Sequence, residues 1–334
     1  MNTKQFSVTS FQFSVIFSVL LLITAICRLP TIAHAQQSIG FSIYPPVLET
    51  VIKPGKTITQ VFTIQNLSES DKIVTARVIP FVPEDEHGSP LLKPNFQPSW
   101  LSYFSLANSV ITLGQPFNFS AGKTDQLILS ISIPANAKEA DYYATLILST
   151  NTEPLESVSG VTNSAVNTTI GANLLLTVNT KANPPTLVRI KDFTVFPEDI
   201  LYRYGEVYFA DNLSPIRFRA VAENAGRFLT KIGGLVRVSK NNQAVSLQSL
   251  VPANLLAGSA REIEASPSGT IIFTPHLTDF GSHKVELDTR ADNSSSHSEL
   301  TLVLLPIKVS LGSLLGLMLL ITILKITSHT KPGA

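Results

Sequence analysis

Few residues of this chain have the types and spacing that catalysis or metal binding needs. The sequence holds no G-x-S-x-G, H-E-x-x-H, P-loop or G-x-G-x-x-G pattern, and its 6 histidines are scattered without metal-ligand spacing. His276 and His283 flank a turn with Asp279, where the three could meet, but polar residues on a solvent-facing loop are the simpler interpretation. The sequence therefore predicts a non-enzymatic protein without catalytic residues, metal or cofactor.

The densest acidic stretch is PEDEHGS, residues 83–89. Its carboxylate oxygens are the ligands that a calcium ion prefers, but the regular ligand spacing of a calcium loop is missing. We interpret the stretch as a solvated loop.

Arg217, Arg219 and Arg227 form the one notable cationic group, and the first two alternate on one face of a predicted strand. They could contact an acidic wall polymer, or they could coat the solvent side of a sheet. The formal net charge is +1, and no basic face is interleaved with aromatic residues. Nucleic acid is therefore not a predicted partner.

The amino end has the pattern of a secretory signal. An apolar run over residues 13–26 is followed by the small-residue triplet Ala33-His34-Ala35, which predicts a signal peptide of residues 1–35 cleaved after Ala35. An uncleaved anchor is the alternative, because Arg28 lies unusually close to the cleavage site. Cleavage would remove Cys27, the single cysteine, so that the exported part would have neither a disulfide nor a thiolate site.

The carboxyl end predicts a membrane anchor. An apolar stretch over residues 309–324 lies between Lys308 and Lys325. As a helix it would span about 24 Å at 1.5 Å per residue, and two lysines reaching outward extend it toward the roughly 30 Å of a bilayer core. We predict a transmembrane helix at residues 306–326, embedded in the lipid bilayer of the plasma membrane with Lys308 and Lys325 as interface anchors. A buried core helix is the alternative.

The positive tail, residues 327–334, is predicted to remain in the cytoplasm while the amino-terminal part is extracytoplasmic. Gly312 and Gly316 form a G-x-x-x-G pattern, a possible contact between two such helices.

Between the two ends the composition is typical of an all-β protein. Long helical patterns are absent, 21 prolines are spread along the chain, and short runs alternate between apolar and polar residues. Ile58, Phe62 and Ile64 share one parity after a turn at Lys53-Pro54-Gly55. We further predict a hairpin closed by residues 66–71 and a strand at residues 110–113.

The spacing of these strands predicts two immunoglobulin-like β-sandwich domains in tandem, followed by the single helix. The first domain covers residues 36–182 and the second residues 186–305. The stiff segment Asn183-Pro184-Pro185 links them.

Several ordered segments resemble a known family. FSIYPPVLETVIKPGKTITQVFTIQN, SWLSYF, FNFSAGKTDQLILSISIPANAKEADYYATLIL and NLLAGSAREIE are similar to the two Ig-like domains of the WxL-interacting proteins, Gram-positive surface proteins with a C-terminal helix. Similar domains occur in bacterial pilus chaperones. The family usually has a glycine where this chain has Asp141, a departure that concerns the subfamily rather than the fold.

The resemblance implies a membrane-anchored extracytoplasmic binding or scaffold protein of the bacterial cell surface. It implies peptidoglycan in the cell wall as a partner of the first domain and another surface protein or a host protein as a partner of the second. The alternative is a chaperone-like protein that offers an edge strand to assembling surface subunits. An exported hydrolase is a third class, but no set of residues supports it.

Overall fold

The structure is a computed structural model that describes residues 40–150 and 168–329. The predicted signal peptide and Ala35 lie outside these residues. Within them the chain forms 21 strands and one long helix, α1 (Ile307–His329). The strands are β1 (Phe41–Tyr44), β2 (Val47–Ile52), β3 (Thr57–Asn66), β4 (Lys72–Pro83), β5 (Pro90–Leu92), β6 (Phe104–Leu106), β7 (Pro116–Phe119), β8 (Thr124–Ser132), β9 (Ala140–Ser149), β10 (Thr169–Val178), β11 (Val188–Val195), β12 (Tyr202–Tyr204), β13 (Val207–Asp211), β14 (Ile216–Asn224), β15 (Thr230–Lys240), β16 (Gln243–Ser249), β17 (Ala253–Leu255), β18 (Ala260–Glu262), β19 (Ile271–Phe273), β20 (Gly281–Ala291) and β21 (Ser294–Leu305).

The first sandwich packs one sheet in the order β1-β3-β8-β6 against a second in the order β2-β10-β9-β4-β5, with β7 also paired to β4. The inward residues of the alternating strands form its core, because strand side chains point to opposite faces in turn. Phe62, Leu127 and Leu146 are fully buried there. Each such side chain contributes about 1.5–3 kcal/mol by leaving water.

Pro45 and Pro46 lie where the chain passes from one sheet of the first sandwich to the other. β1 pairs antiparallel with β3 in one layer, whereas β2 pairs parallel with β10 in the other. Pro45 and Pro46 stand between them, where no backbone N–H is needed for a continuous ladder. The turn after β2 has Gly55 at φ 77°, as the Lys-Pro-Gly pattern predicts.

Two predictions for this domain were wrong. Residues 66–71 do not close a hairpin, because β3 pairs with β1 and β8 while β4 lies in the other sheet. The segment passes between layers around the buried Asn66, whose side-chain amide donates to the Phe119 carbonyl at 2.9 Å. A local turn signal does not distinguish a hairpin from a crossing between sheets.

The predicted strand at residues 110–113 is irregular instead. Ile111 is buried, but Val110 is 85% exposed. The place beside β4 is taken by β7, six residues further along, where Phe119 fills the core.

The second sandwich packs a sheet in the order β11-β14-β18, with β19 also on β14, against β12-β13-β21-β20-β15-β16, with β17 also on β15. Its own core includes Phe218, Val285 and Leu302. β20 and β21 form the closing hairpin of this sandwich. Two successive residues with positive φ, Asn241 and Asn242, turn β15 into β16, as expected for asparagine.

These features confirm the predicted all-β class, with two immunoglobulin-like sandwiches followed by one helix. The boundaries proposed for the domains and the linker stay predictions. α1 contains a stretch, Ile307–Lys325, that is long and apolar enough to cross a membrane. Every side chain in this stretch is exposed rather than packed on the sandwiches, which is compatible with a single-pass anchor.

Candidate functional site

The two sandwiches meet at a junction that has its own small apolar cluster. Phe81 and Leu175 of the first sandwich are buried together with Leu229 of the second. Because this cluster is separate from both cores, it forms only when the two sandwiches are in contact. We use the word junction for this cluster and the polar groups around it.

Asp141 lies at the centre of the junction. Its carboxylate accepts hydrogen bonds from the Tyr143 hydroxyl at 2.5 Å, from the Thr177 hydroxyl at 2.7 Å and from the backbone N–H of Leu229. Asp141 and Tyr143 are two residues apart on β9, so both point to the same side of the sheet. Tyr143 Oη in turn accepts from the Ala257 N–H at 3.0 Å. One carboxylate and one phenol therefore join two sandwiches.

Burial changes the proton affinities of both groups. It raises the pKa of Asp141, although the three hydrogen bonds oppose that effect. Burial, with the neighbouring Asp141, also raises the pKa of Tyr143, whose protonated hydroxyl donates to that carboxylate. Asp141 thus links the two sandwiches in this chain.

An ionic rim lies beside the cluster, on the loop between β4 and β5. Glu86 of this loop forms ion pairs with Arg219 and, at 2.8 Å, with Lys191. The neighbouring Asp85 shapes the loop, since its carboxylate accepts from the backbone N–H groups of His87 at 2.9 Å and Ser89 at 3.1 Å. Two of the three carboxylates of the acidic stretch that suggested calcium, those of Asp85 and Glu86, therefore have protein partners.

We expect the Glu86→Gln variant to lose about 1 kcal/mol of unfolding free energy at pH 7, since such half-exposed pairs are weakened by solvent. The hydrogen bond from Lys191 lowers the pKa of Glu86. Glu86 therefore contributes its full stabilisation above its pKa in the unfolded state, about 4.3. This stabilisation is lost as the pH falls through the lower pKa that Glu86 has in the folded state. Urea unfolding at pH 7 and pH 3 measures this.

The matched control is Glu84→Gln, an exposed carboxylate on the same loop, which should change little. A wild-type minus Glu86→Gln difference that stays constant between the two pH values would contradict the ion-pair role.

A cavity of about 130 Å³ lies in the junction, with Phe81, Leu175 and Leu256 as apolar lining. The Arg261 guanidinium is at its edge, packed flat on Gly88: a Cβ placed at Gly88 would lie 2.7 Å from Arg261 Cζ. Gly88 also has φ 86°, a backbone conformation that favours glycine over residues with a side chain.

Two polar groups of this cavity have unused hydrogen-bonding capacity among the described residues. Arg261 donates one hydrogen bond, to the Asn254 carbonyl at 3.1 Å, and no carboxylate of the described residues pairs with it within 4.0 Å. Among the same residues, the buried Asn254 Oδ1 has no hydrogen-bond donor. A guanidinium next to a free acceptor and an apolar wall fits a carboxylate that carries an N–H group and a small apolar substituent.

The three arginines predicted as ligand contacts have different surroundings. Arg217 pairs with Asp199 at 2.8 Å, Arg219 belongs to the ionic rim, and Arg227 lies on a loop near Glu139. Internal ion pairs hold the first two, and their role in binding stays a prediction.

The three residues predicted to lie on one solvent-facing loop have different surroundings, because His276 is exposed on the loop whereas His283 is buried in β20. His283 is buried against Phe273, and burial lowers its pKa, which favours the neutral ring. Asp279 accepts from the backbone N–H of His276 at 2.8 Å, so it is committed to the turn itself.

Sequence reasoning missed a group formed across β20 and β21. Glu286, His297 and Glu299 have potential metal-ligand atoms within 4.8 Å of one another. The Lys284 ammonium already lies 2.9 Å from Glu286 and 2.7 Å from Glu299, so a cation would have to displace it. The register between the strands assembles this group, and no spacing within one segment indicates it.

The predicted membrane residues lie on α1. Lys308 is near the start of the helix, where its ammonium lies 3.5 Å from Asp211, and Lys325 is near the other end. Gly312 and Gly316 face open space, with no atom within 4 Å of an added Cβ. Interface anchoring and helix pairing stay predictions.

Comparison with known proteins identifies no family. No protein-family model matches the chain, and no curated protein matches it. The solved structures that are similar include the class 5 fimbriae chaperone CfaA (11% identity, 80% of this chain and 100% of that chain, TM-score 0.37), the CsuC–CsuE chaperone–tip adhesion subunit complex of Acinetobacter baumannii (12%, 79% and 99%, 0.34) and the Escherichia coli chaperone DraB (12%, 79% and 97%, 0.32).

These neighbours are pilus chaperones with Ig-like folds. At such identities and TM-scores the structural similarity does not indicate the function of this chain. Its relation to the WxL-interacting proteins stays a prediction.

Proposed function

We propose that this protein is a non-catalytic binding protein, tethered by α1 to the plasma membrane, that takes its ligand at the junction of two extracytoplasmic sandwiches. The observation that carries the proposal is the Arg261 guanidinium, half-buried in the junction cavity without a carboxylate partner among the described residues. Removing such a cation from water is costly, and a bound carboxylate would compensate that cost.

The ligand that this chemistry favours is the end of a wall peptide. A peptidoglycan stem peptide has a carboxylate for Arg261, an amide N–H for Asn254 Oδ1 and small apolar side chains for the wall formed by Phe81 and Leu256. The family resemblance points to peptidoglycan independently of this cavity. The exposed helix supports a location close to the wall.

We expect the full-length protein in detergent to be retained on purified peptidoglycan. Arg261→Gln should weaken retention at least about tenfold, the usual effect of removing a charge-assisted hydrogen-bond pair. N-acetylalanine should compete with retention, whereas N-acetylalanine amide, which lacks the carboxylate, should not.

The matched control is Arg237→Gln, an exposed arginine on β15 away from the cavity lining. Thermal unfolding of both variants verifies that they are folded. The proposal fails if the wild type is retained no better than an unrelated sandwich, or if Arg261→Gln and Arg237→Gln behave alike.

The edge strand β16 favours a second candidate function, the docking of an extended segment of a partner protein. β16 is the last strand of its sheet and exposes Val245 and Leu247 on one side. Near the end of β16, the side-chain amide of Gln248 forms two hydrogen bonds with the backbone of Ile272, at 2.7 and 3.0 Å. These bonds take the place of backbone pairing with a further strand at that point. The remaining open edge could accept an added strand. Crosslinking from Leu247 on intact cells to a surface subunit would favour this chaperone-like function.

A further inference from the structure

The end of the second sandwich from which α1 emerges carries an apolar patch on two neighbouring loops. β21 ends at Leu305, and α1 begins two residues later at Ile307. Leu305 lies opposite Asp211 of β13, and Leu304 lies opposite Gly281 of β20. β13 and β20 lie on either side of β21, each at the roughly 5 Å that separates neighbouring strands. The loop after β13 and the loop before β20 therefore flank the start of the helix.

Three large apolar side chains of these loops are exposed. Leu213 is 47% exposed, and Leu277 and Phe280 are each 60% exposed. We call these three residues the helix-end patch. Single exposed apolar residues are ordinary on a protein surface, but a group gathered at one edge usually marks an interaction surface.

The structure holds the patch in this exposed arrangement. Asn212 Nδ2 donates to the Leu277 carbonyl at 2.8 Å, which joins the two loops, and the Asn212 N–H donates to Leu305 at 3.1 Å. Asp279 closes its own loop by accepting from the His276 N–H at 2.8 Å, and the Phe280 N–H donates to Thr278 at 3.1 Å. These bonds present the side chains outward without folding them into the core.

Cationic groups accompany the apolar ones. The Lys240 ammonium lies 5.0 Å from the centre of the Phe280 ring. Lys308, the second residue of α1, is held at Asp211 by its backbone N–H at 3.1 Å and by its ammonium. Apolar side chains flanked by lysines suit the boundary between lipid headgroups and acyl chains, particularly where the headgroups are anionic.

We propose that Leu213, Leu277 and Phe280 insert into the surface of the bilayer that α1 crosses. The second sandwich then lies directly on the membrane with a fixed orientation, instead of turning on a flexible tether. The partner is the lipid interface, since the patch is continuous with the apolar helix. This inference rests on the proposed membrane anchoring by α1.

The test uses full-length protein in nanodiscs of phosphatidylcholine with phosphatidylglycerol. In a Cys27→Ser background, which removes the single cysteine, one new cysteine at Leu277 or Phe280 carries an environment-sensitive fluorophore. We expect nitroxide lipids to quench these labels at least about twofold more than a label at Val110, an exposed apolar residue of the first sandwich. NMR of wild-type protein with isotope-labelled leucine methyl groups tests the same point without a substitution at the patch. Nitroxide lipids should broaden the methyl signals of Leu277 and leave those of the exposed Leu247 unchanged.

Each outcome decides the proposal. Protein that resists carbonate extraction from membranes but shows equal quenching at Phe280 and Val110 would leave the anchor intact and overturn the insertion. Protein that carbonate extracts would overturn the anchor itself and, with it, the insertion. Labels that are unquenched and crosslink between copies would assign the patch to a second copy of the chain and also overturn the insertion.

Discussion

Gly234→Ala should lower the free energy of unfolding by about 3–5 kcal/mol, because the second sandwich has no room for a side chain there. A Cβ on Gly234 would lie 2.0 Å from the backbone oxygen of Asp288, on the neighbouring strand β20. The glycine also has φ 149°, a conformation that other residues adopt only with strain. The backbone of β15 or β20 would have to shift, at the centre of the largest described sheet. Equilibrium unfolding in urea measures the loss.

Its neighbour provides a matched control. A Cβ on Gly233 meets nothing closer than Pro252 at 4.0 Å, so Gly233→Ala should change stability by less than about 1 kcal/mol. Equal effects of the two substitutions would show that the close approach of β15 and β20 is not what the position requires.

Asp141→Ala should cost about 2–4 kcal/mol of unfolding free energy. The substitution removes the acceptor from the Tyr143 hydroxyl, the Thr177 hydroxyl and the Leu229 N–H at once, and each buried donor left without a partner costs about 1 kcal/mol or more. Because Leu229 belongs to the second sandwich, we also expect faster amide hydrogen exchange at Leu229. Asp125→Ala, a half-exposed aspartate on β8, serves as control. Unchanged exchange at Leu229 would argue against a link between the sandwiches.

The effect should depend on pH with a definite sign. Burial raises the pKa of Asp141, so the native state holds the proton more tightly than the unfolded state, whose pKa is about 3.9. Its contribution to stability is then greatest below the unfolded pKa and falls as pH rises through the folded value. The wild-type minus Asp141→Asn difference should therefore shrink with rising pH in that window, and a growing difference would contradict the raised pKa.

Strand positions and the apolar helix could be predicted because they depend on local pattern. The alternation of Ile58, Phe62 and Ile64 predicts which face of β3 is buried, and the prolines and glycines predict where turns occur. The predicted hairpin at residues 66–71 was wrong for the same reason. A turn signal shows that the chain turns, but the choice between pairing in the same sheet and crossing to the other depends on contacts with distant strands such as β8.

By itself the sequence determined an all-β chain of two sandwiches with an apolar helix at its end, since strand alternation and helix hydropathy are properties of consecutive residues. Only the tertiary structure decided that Asp141 meets Leu229, that Glu86 meets Arg219, and that the Arg261 guanidinium packs against Gly88 in a cavity. These contacts join residues separated by 88 and 133 positions in the first two cases. Which residues meet in these contacts depends on how the two sandwiches, each with its own core, pack against each other. The spacing of residues along the chain does not indicate that packing.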